Sequence, residues 1–208
     1  MFLSKTRENI LKLFFNNPTE EFHLREISRR ANVVPQNVNK YAKDFVKEGL
    51  LIRRKVGNLT IYRINPHNDF LFKIFEIFEV QRKKYFFSRN KKITRLLNEY
   101  ISNLVRLSNR EIQMVALFGS VARGDWNRGS DIDILFCTAA KNNRFIKIHE
   151  ESEKKVRPLL EISPLNITID KIVDGFRNKL EFYDELWRDR IILYNEYLFW
   201  EVIKASQF

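Results

Sequence analysis

Two carboxylates stand two residues apart at the start of an apolar run, and this pattern constrains the fold of the chain most. Asp131 and Asp133 alternate with Ile132, Ile134 and Phe136. In a β-strand, side chains two residues apart leave the same face, so the pattern predicts a strand with one acidic face and one buried face. Neighbouring carboxylates repel unless a cation lies between them, and Mg²⁺ prefers oxygen ligands together with phosphate groups. The sequence therefore predicts a cation site on this strand.

A second predicted strand ends shortly before this pair. Residues 112–118 are apolar enough to form it, and Gly119 and Ser120 interrupt it. Glycine lets a backbone approach a phosphate closely, and a hydroxyl near a helix N-terminus lies where unpaired N–H groups favour anions. Arg123 has two open interpretations: it contacts a triphosphate, or it packs against the neighbouring carboxylates.

The segment from residue 119 to residue 136 resembles the nucleotide-binding motif of the minimal nucleotidyltransferases, which are relatives of DNA polymerase beta. That motif consists of Gly-Ser, a short Ala-Arg-Gly segment and a Ser-Asp-x-Asp sequence that opens a strand. The chain fills these positions with Gly119, Ser120, Ala122, Arg123, Gly124, Ser130, Asp131 and Asp133.

The resemblance implies that a nucleoside monophosphate moves from a nucleoside triphosphate, expected to be ATP, to an acceptor hydroxyl, with release of pyrophosphate. It implies Mg²⁺ or Mn²⁺ held by Asp131, Asp133 and a third carboxylate from a neighbouring strand. The expected nucleotide contacts are Gly119, Ser120, Arg123 and Ser130. The acceptor implied is a protein hydroxyl or an RNA end, and one candidate target is a toxin partner with a nucleotide-binding helical bundle. Nothing in the sequence identifies the acceptor.

Two residues compete for the role of the third carboxylate. Residues 161–169 are predicted to form the neighbouring strand, after a helix over residues 143–157. Glu161, at the start of the strand, is the first choice as metal ligand and as the group that activates the acceptor hydroxyl. Asp170, just past its end, is the second choice, because Pro164 and the serine before it leave the register of the strand open.

The excess positive charge of the chain lies in its first half. Residues 1–110 hold 23 Lys and Arg against 10 Asp and Glu, whereas residues 111–208 hold 14 against 16. A basic module followed by a nearly neutral one suggests that the first half binds a polyanion. A solvated lysine-rich surface would produce the same charge.

Helical periodicity predicts helices over residues 4–16, 23–31 and 36–48, and two β-rich runs from Leu50 to Ile64 predict a hairpin. This order resembles a winged helix-turn-helix over residues 4–65. In such domains the third helix enters the major groove of DNA and the wing contacts the backbone. The residues implied on the third helix are Gln36, Asn37, Asn39, Lys40 and Lys43, and those on the wing are Arg53, Arg54, Lys55 and Arg63. The alternative is a winged helix used for protein contact.

These patterns together predict an α+β protein. A winged helix-turn-helix that binds double-stranded DNA is expected at residues 1–66, and a helical connector at residues 67–110. A nucleotidyltransferase-type α/β domain with a small mixed sheet is expected at residues 111–208. The competing hypothesis is a transcription regulator or antitoxin-like protein, whose nucleotidyltransferase domain senses nucleotide or mediates formation of a homodimer.

The expected location is the cytoplasm, without membrane contact. The chain lacks an apolar run of the ~18 residues that a membrane-spanning helix needs. The charges at Lys5 and Arg7 argue against a signal peptide. The single cysteine, Cys137, excludes an intrachain disulfide and a multi-cysteine zinc site, which fits a reducing compartment.

Overall fold

The computed structural model describes residues 3–109, 111–125, 129–139, 144–154, 156 and 161–206. The chain divides into two compact units, Met1–Phe78 and Glu79–Phe208. Each unit contains its own β-sheet and its own buried apolar residues.

The first unit contains helices followed by a β-hairpin. Its elements up to the hairpin are α1 (Lys5–Asn16), β1 (Phe22–His23), α2 (Leu24–Ala31), α3 (Pro35–Lys47), β2 (Leu51–Val56) and β3 (Leu59–Ile64). The strands form an antiparallel sheet in the order β1-β3-β2. The helices and the hairpin predicted from the sequence are therefore confirmed as elements. Strand β1 was not predicted, because two residues are too short to show an alternating pattern.

Local signals explain where these helices begin and end. The hydroxyl of Ser4 accepts from the N–H of Arg7 at 3.4 Å and caps α1. Nδ1 of His23 accepts from the N–H of Glu26 at 3.3 Å and caps α2, which gives this histidine a structural role. Asn32 ends α2 in the left-handed conformation, with a φ of 52°. Pro35 occupies the first turn of α3, where a missing N–H costs no hydrogen bond.

Helix α4 (Asp69–Arg89) continues past residue 78, where the two units divide. The buried apolar residues in its first half are Leu71, Phe72, Ile74, Phe75 and Phe78. The rings of Phe75 and Phe78 pack edge-on against Phe15 of α1, with centroids 5.7 and 5.4 Å apart. In the part of the chain that the structure describes, no helix is both long and apolar enough to cross a membrane.

The second unit places helices on both faces of a mixed sheet. After α4 its elements are α5 (Lys91–Leu107), β4 (Ile112–Leu117), α6 (Gly119–Arg123), β5 (Ile132–Thr138), α7 (Arg144–Glu153), β6 (Ile162–Thr168), α8 (Ile169–Arg177), α9 (Glu181–Asp189), β7 (Ile191–Tyr194) and α10 (Glu196–Ser206). The described strands lie in the order β6-β5-β4-β7. Among these described strands only β5 and β6 pair in parallel, so the sheet is mixed, as predicted. The helix predicted over residues 143–157 is observed as α7; residues 143, 155 and 157 lie outside the described residues.

Strand β5 is buried on both faces beyond its first residues. Ile132, Ile134 and Phe136 enter a core that includes Leu97 and Tyr100 of α5, which confirms the predicted apolar face. On the other face, Leu135 and Cys137 are also fully buried. Burial, together with the charge of Asp170, raises the pKa of the Cys137 thiol to about 12, so this cysteine behaves as a small core residue.

Strand β6 lies at the edge of the described sheet, and its hydrogen bonds explain how it accommodates a proline. The N–H of Ile132 donates to the carbonyl of Glu161 at 2.9 Å, so Glu161 and alternate residues turn their backbone groups toward β5. The N–H of Ile162 points outward and donates to Oε1 of the buried Glu153 at 3.2 Å. Pro164 falls on the same outer side, where the ladder needs no N–H. The sequence left the register open at this proline, and the strand is regular there.

Candidate functional site

The Gly-Ser element and the strand carboxylates meet at one end of the sheet. The N–H of Phe118 donates to the carbonyl of Asp133 at 3.1 Å, which joins the end of β4 to the start of β5. The next residue, Gly119, has a φ of 72°, and a Cβ placed on it would overlap Oδ2 of Asp133. The Asp133 carboxylate therefore lies directly against the backbone of Gly119. The structure brings together two parts of the sequence motif that are separated by residues 120–132.

A pair of glycine variants tests this close approach. Gly119 and Gly124 both have a positive φ, but among the described residues no atom lies within 4 Å of a Cβ placed on Gly124. Alanine at either position costs about 1–2 kcal/mol of folding free energy, because its Cβ is strained in the left-handed backbone conformation. Gly119→Ala must in addition displace the Asp133 carboxylate, so we expect it to lower the free energy of unfolding by more than Gly124→Ala does. Chemical denaturation of both variants measures the difference, and equal losses would contradict the contact.

The two carboxylates of β5 differ in their surroundings. Asp131 is exposed and Asp133 is half-buried. Burial raises the pKa of Asp133, and the charge of Asp131 raises it further, whereas the positive charge of Arg123 opposes both effects. Two neighbouring carboxylates, whose charge Arg123 offsets only in part, are oxygen donors of the kind that Mg²⁺ and Mn²⁺ prefer.

The register of β6 places the two candidates for the third carboxylate at opposite ends of the strand. Asp133 pairs with Ser163, and Ile132 pairs with Ile162, so Glu161 precedes the strand at the end that carries the Asp pair. Glu161 is exposed and, two residues before Ser163, belongs to the same face as Asp133. Asp170 lies in the first turn of α8, beyond the end of β6. About 17 Å of strand separates Ser163 from that far end.

The acidic residues at this site do not form a closed cluster. Within the described ranges, no three His, Cys, Asp or Glu residues are grouped so that they could hold a metal ion. The structure thus brings Asp131 and Asp133 together on β5 and places Glu161 at the same end of the sheet, without gathering all three around one point. Ser120 and Ser130, the other predicted nucleotide contacts, are both half-buried.

Arg123 contacts two carboxylates, and one of them, Asp189, was not predicted from the sequence. Its Nη1 lies 2.5 Å from Oδ2 of Asp189, and its Nε lies 3.1 Å from Oδ2 of Asp125. Hydrogen bonds, first to Asp189 and then to Asp125, raise the pKa of Arg123. Neither sequence interpretation included Asp189, because an ion pair between residues 66 positions apart leaves no periodic signal in the sequence.

In the first unit, the residues of α3 that are predicted to contact DNA lie on one exposed side of the helix. Val38, Ala42 and Phe45 are fully buried and attach the helix to its unit. The exposed residues are Gln36, Asn37, Asn39, Lys40 and Lys43, as the spacing of the buried stripe requires. The exposed side of α3 therefore offers amide and ammonium groups to a partner.

Glu21 lies beside two of the arginines of the predicted wing. Arg53 and Lys55 of β2 are exposed. Glu21 accepts a hydrogen bond from Nε of Arg54 at 3.1 Å, and one of its oxygens lies 4.0 Å from Nε of Arg63. The hydrogen bond from Arg54 lowers the pKa of Glu21, so the carboxylate stays ionised beside both guanidinium groups. Two of the four predicted wing cations are thus partly neutralised by a residue that sequence reasoning missed.

A comparison with protein families bears on the second unit. The family model described as a nucleotidyltransferase domain matches residues 97–199, a stretch that includes the Gly-Ser element, both β5 carboxylates and Glu161. This part of the chain is similar to that family, which supports a transferase acting in nucleotidyl transfer in general. No curated protein and no solved structure matched the chain.

Proposed function

We propose that the protein is a metal-dependent nucleotidyltransferase that moves a nucleoside monophosphate from a nucleoside triphosphate, expected to be ATP, to an acceptor hydroxyl. The observation that carries this proposal is the Asp133 carboxylate lying against the backbone of Gly119. A triphosphate beside Gly119 would meet the β5 carboxylates with like charge, so the arrangement requires a cation between them.

The residues of the site would have three roles in the reaction: holding the metal, binding the phosphates and accepting a proton. Asp131, Asp133 and Glu161 would hold Mg²⁺ or Mn²⁺, which when bound supplies positive charge to the attacking and leaving oxygens. Gly119, Ser120, Ser130 and Arg123 would bind the phosphates of the nucleotide. Glu161 would accept the proton of the acceptor hydroxyl, whose oxygen attacks the α-phosphorus. The bond between that phosphorus and the bridging oxygen to the β-phosphate breaks, and pyrophosphate leaves.

The first unit, in this proposal, is a winged helix-turn-helix that binds double-stranded DNA. The exposed amides and lysines of α3 would enter the major groove, where Asn and Gln can contact adenine edges and Lys contacts phosphates. The wing cations would contact the backbone on either side. The acceptor hydroxyl would belong to a protein, such as a toxin partner, or to an RNA end.

Calorimetry tests the proposed transferase site directly. We expect ATP to bind the full chain at least tenfold more tightly in Mg²⁺ than in chelator, because the cation relieves the repulsion between phosphate and carboxylates. Equal affinity in both conditions would contradict the metal site. Metal-dependent release of pyrophosphate would support catalysis, whereas nucleotide binding that alters DNA affinity without turnover would support the regulator instead. A pulldown from cells followed by mass spectrometry for a nucleotidylated partner identifies a protein acceptor.

A further inference from the structure

A buried carboxylate at the end of α9 holds the arginine of the candidate site. The side chain of Asp189 is only 3% exposed, and its Oδ2 lies 2.5 Å from Nη1 of Arg123. The Arg123 side chain is 42% exposed, so its guanidinium is anchored through Nη1 although much of the side chain is open to solvent. Arg188 also approaches Asp189, with its Nε 3.3 Å from Oδ1. This Arg188 contact uses the other oxygen and leaves Oδ2 to Arg123.

The position of Asp189 is set by the residues that follow it. The guanidinium of Arg190 is buried 3.7 Å above the ring of Trp187, and its Nε donates to Oε1 of the buried Glu79 at 2.7 Å. Ile191 then pairs with Leu117, the last residue of β4. Because the chain is held immediately after Asp189, this carboxylate has little freedom to follow a moving partner. The Asp189 carboxylate is therefore held in place beside the end of β4.

Arg123 lies close to the expected path of the nucleotide phosphates. It is the last residue of α6, which begins at Gly119 against the Asp133 carboxylate. Four residue steps along a helix span about 6 Å, so the guanidinium starts one turn from the carboxylates. Its Nη1 contacts Asp189 and its Nε contacts Asp125, and neither of these described contacts uses Nη2.

We propose that Asp189 is a positioning residue that holds Arg123 with its free edge toward the triphosphate of the bound nucleotide, an inference that rests on the proposed function. Without Asp189, the guanidinium would be drawn to the carboxylates of Asp131 and Asp133, the nearest negative charges on β5, and would compete there with the metal. An arginine held in place also loses less side-chain freedom when it binds phosphate, which favours affinity. Asp189 thus keeps a cation near the carboxylates without letting it occupy their site.

The test compares the two carboxylates that contact Arg123. Asp189→Asn keeps the side-chain size and removes the charge, and we expect it to weaken binding of ATP in Mg²⁺ about tenfold, as loss of a charge-assisted hydrogen bond would. Asp125→Asn is the matched control, because Asp125 is 61% exposed and its pair with Arg123 is screened by solvent. It should bind within about twofold of the parent. Asp189→Glu, which retains the charge, should recover part of the affinity.

A double-mutant cycle separates positioning from a purely structural role. In the Arg123→Gln background, Asp189→Asn should cause no further loss of ATP affinity, because Asp189 acts through Arg123. Arg123→Gln alone should match the loss of Asp189→Asn, and its exposed side chain makes it the measurement to use if the Asp189 variant unfolds. Additive losses, or equal affinities of Asp189→Asn and Asp125→Asn, would overturn the inference. If the parent itself does not bind ATP in Mg²⁺, the proposed function fails instead.

Discussion

Asp131→Asn and Asp133→Asn should each abolish most nucleotidyl transfer while leaving the protein folded. Each change removes a formal charge from a proposed metal ligand at constant side-chain volume, and we expect turnover to fall on the order of 10²–10³-fold. The measurement is metal-dependent pyrophosphate release by the full chain. Asp174→Asn is a matched control, because Asp174 is an exposed carboxylate on α8 that the proposal gives no role.

Asp133→Asn should also change the stability of the protein. Because the folded-state pKa of Asp133 is raised, its ionised form opposes folding at neutral pH, and the amide removes that cost. Asp133→Asn should therefore be at least as stable as the parent at neutral pH. The difference should begin to shrink as the pH falls through the raised pKa of Asp133 in the folded state, and it should be gone below the ordinary pKa of an aspartate, where both the folded and the unfolded state are protonated. Thermal unfolding across this range in the absence of metal measures it, and a variant less stable than the parent at neutral pH would contradict the assigned repulsion.

Variants of the third carboxylate identify which acid assists the reaction. Glu161→Gln should retain binding of nucleotide and metal while turnover drops, if its main role is to accept the proton. Asp170→Asn should match the parent, because Asp170 lies beyond the far end of β6. An inactive Asp170→Asn with a fully active Glu161→Gln would assign the role to Asp170. If the β5 variants, Glu161→Gln and Asp170→Asn all match the parent, the proposed transferase activity is wrong.

Replacing Lys40 and Lys43 together by alanine should weaken binding of duplex DNA by an order of magnitude or more at moderate salt. Both lysines lie on the exposed side of α3, where they would neutralise phosphates. Each lost phosphate contact reduces the slope of log affinity against log salt by about 0.9, so the double variant should lose about two units of slope. Fluorescence anisotropy with a labelled duplex at several salt concentrations measures both quantities.

Glu21→Gln provides a comparison of opposite sign. Removal of this carboxylate releases Arg54 and Arg63 from their internal partner, so duplex affinity should rise. Nucleotidyl transfer should be unchanged in both sets of variants, since the changes lie in the first unit. If the lysine variant loses DNA binding and transfer together while it remains folded, the proposed division of labour between the two units is wrong.

The sequence predicted those parts of the molecule that depend on neighbouring residues. Alternation around Asp133 identified β5 and its buried face, and the apolar stripe of α3 correctly identified which side of that helix is exposed. The contact of Gly119 with Asp133 was not predicted, although the motif lies on the strand, short helix and returning strand whose ends it joins.

The parts that could not be predicted depend on charges far apart in the sequence. The pairs of Arg123 with Asp189 and of Arg190 with Glu79 join residues 66 and 111 positions apart, and any of several carboxylates could have served as partner. The register of β6 was ambiguous for a different reason. A proline is compatible with an edge strand only on its outer side, and the outer side is defined by pairing with β5, which the segment itself does not encode.

The outer side of β6 also affects how the protein behaves at high concentration. An exposed strand edge with unpaired N–H groups can recruit a strand from another molecule and start aggregation. Here the N–H of Ile162 already donates to Glu153, and Pro164 has no N–H. The first two outward-facing positions of β6 therefore present no unpaired backbone donor to a second molecule. Pro164 lies three residues after Glu161, the candidate catalytic acid, and offers no N–H to a second molecule. We therefore expect Pro164→Ala to lower the concentration at which the protein aggregates without changing the hydrogen bonds between β6 and β5.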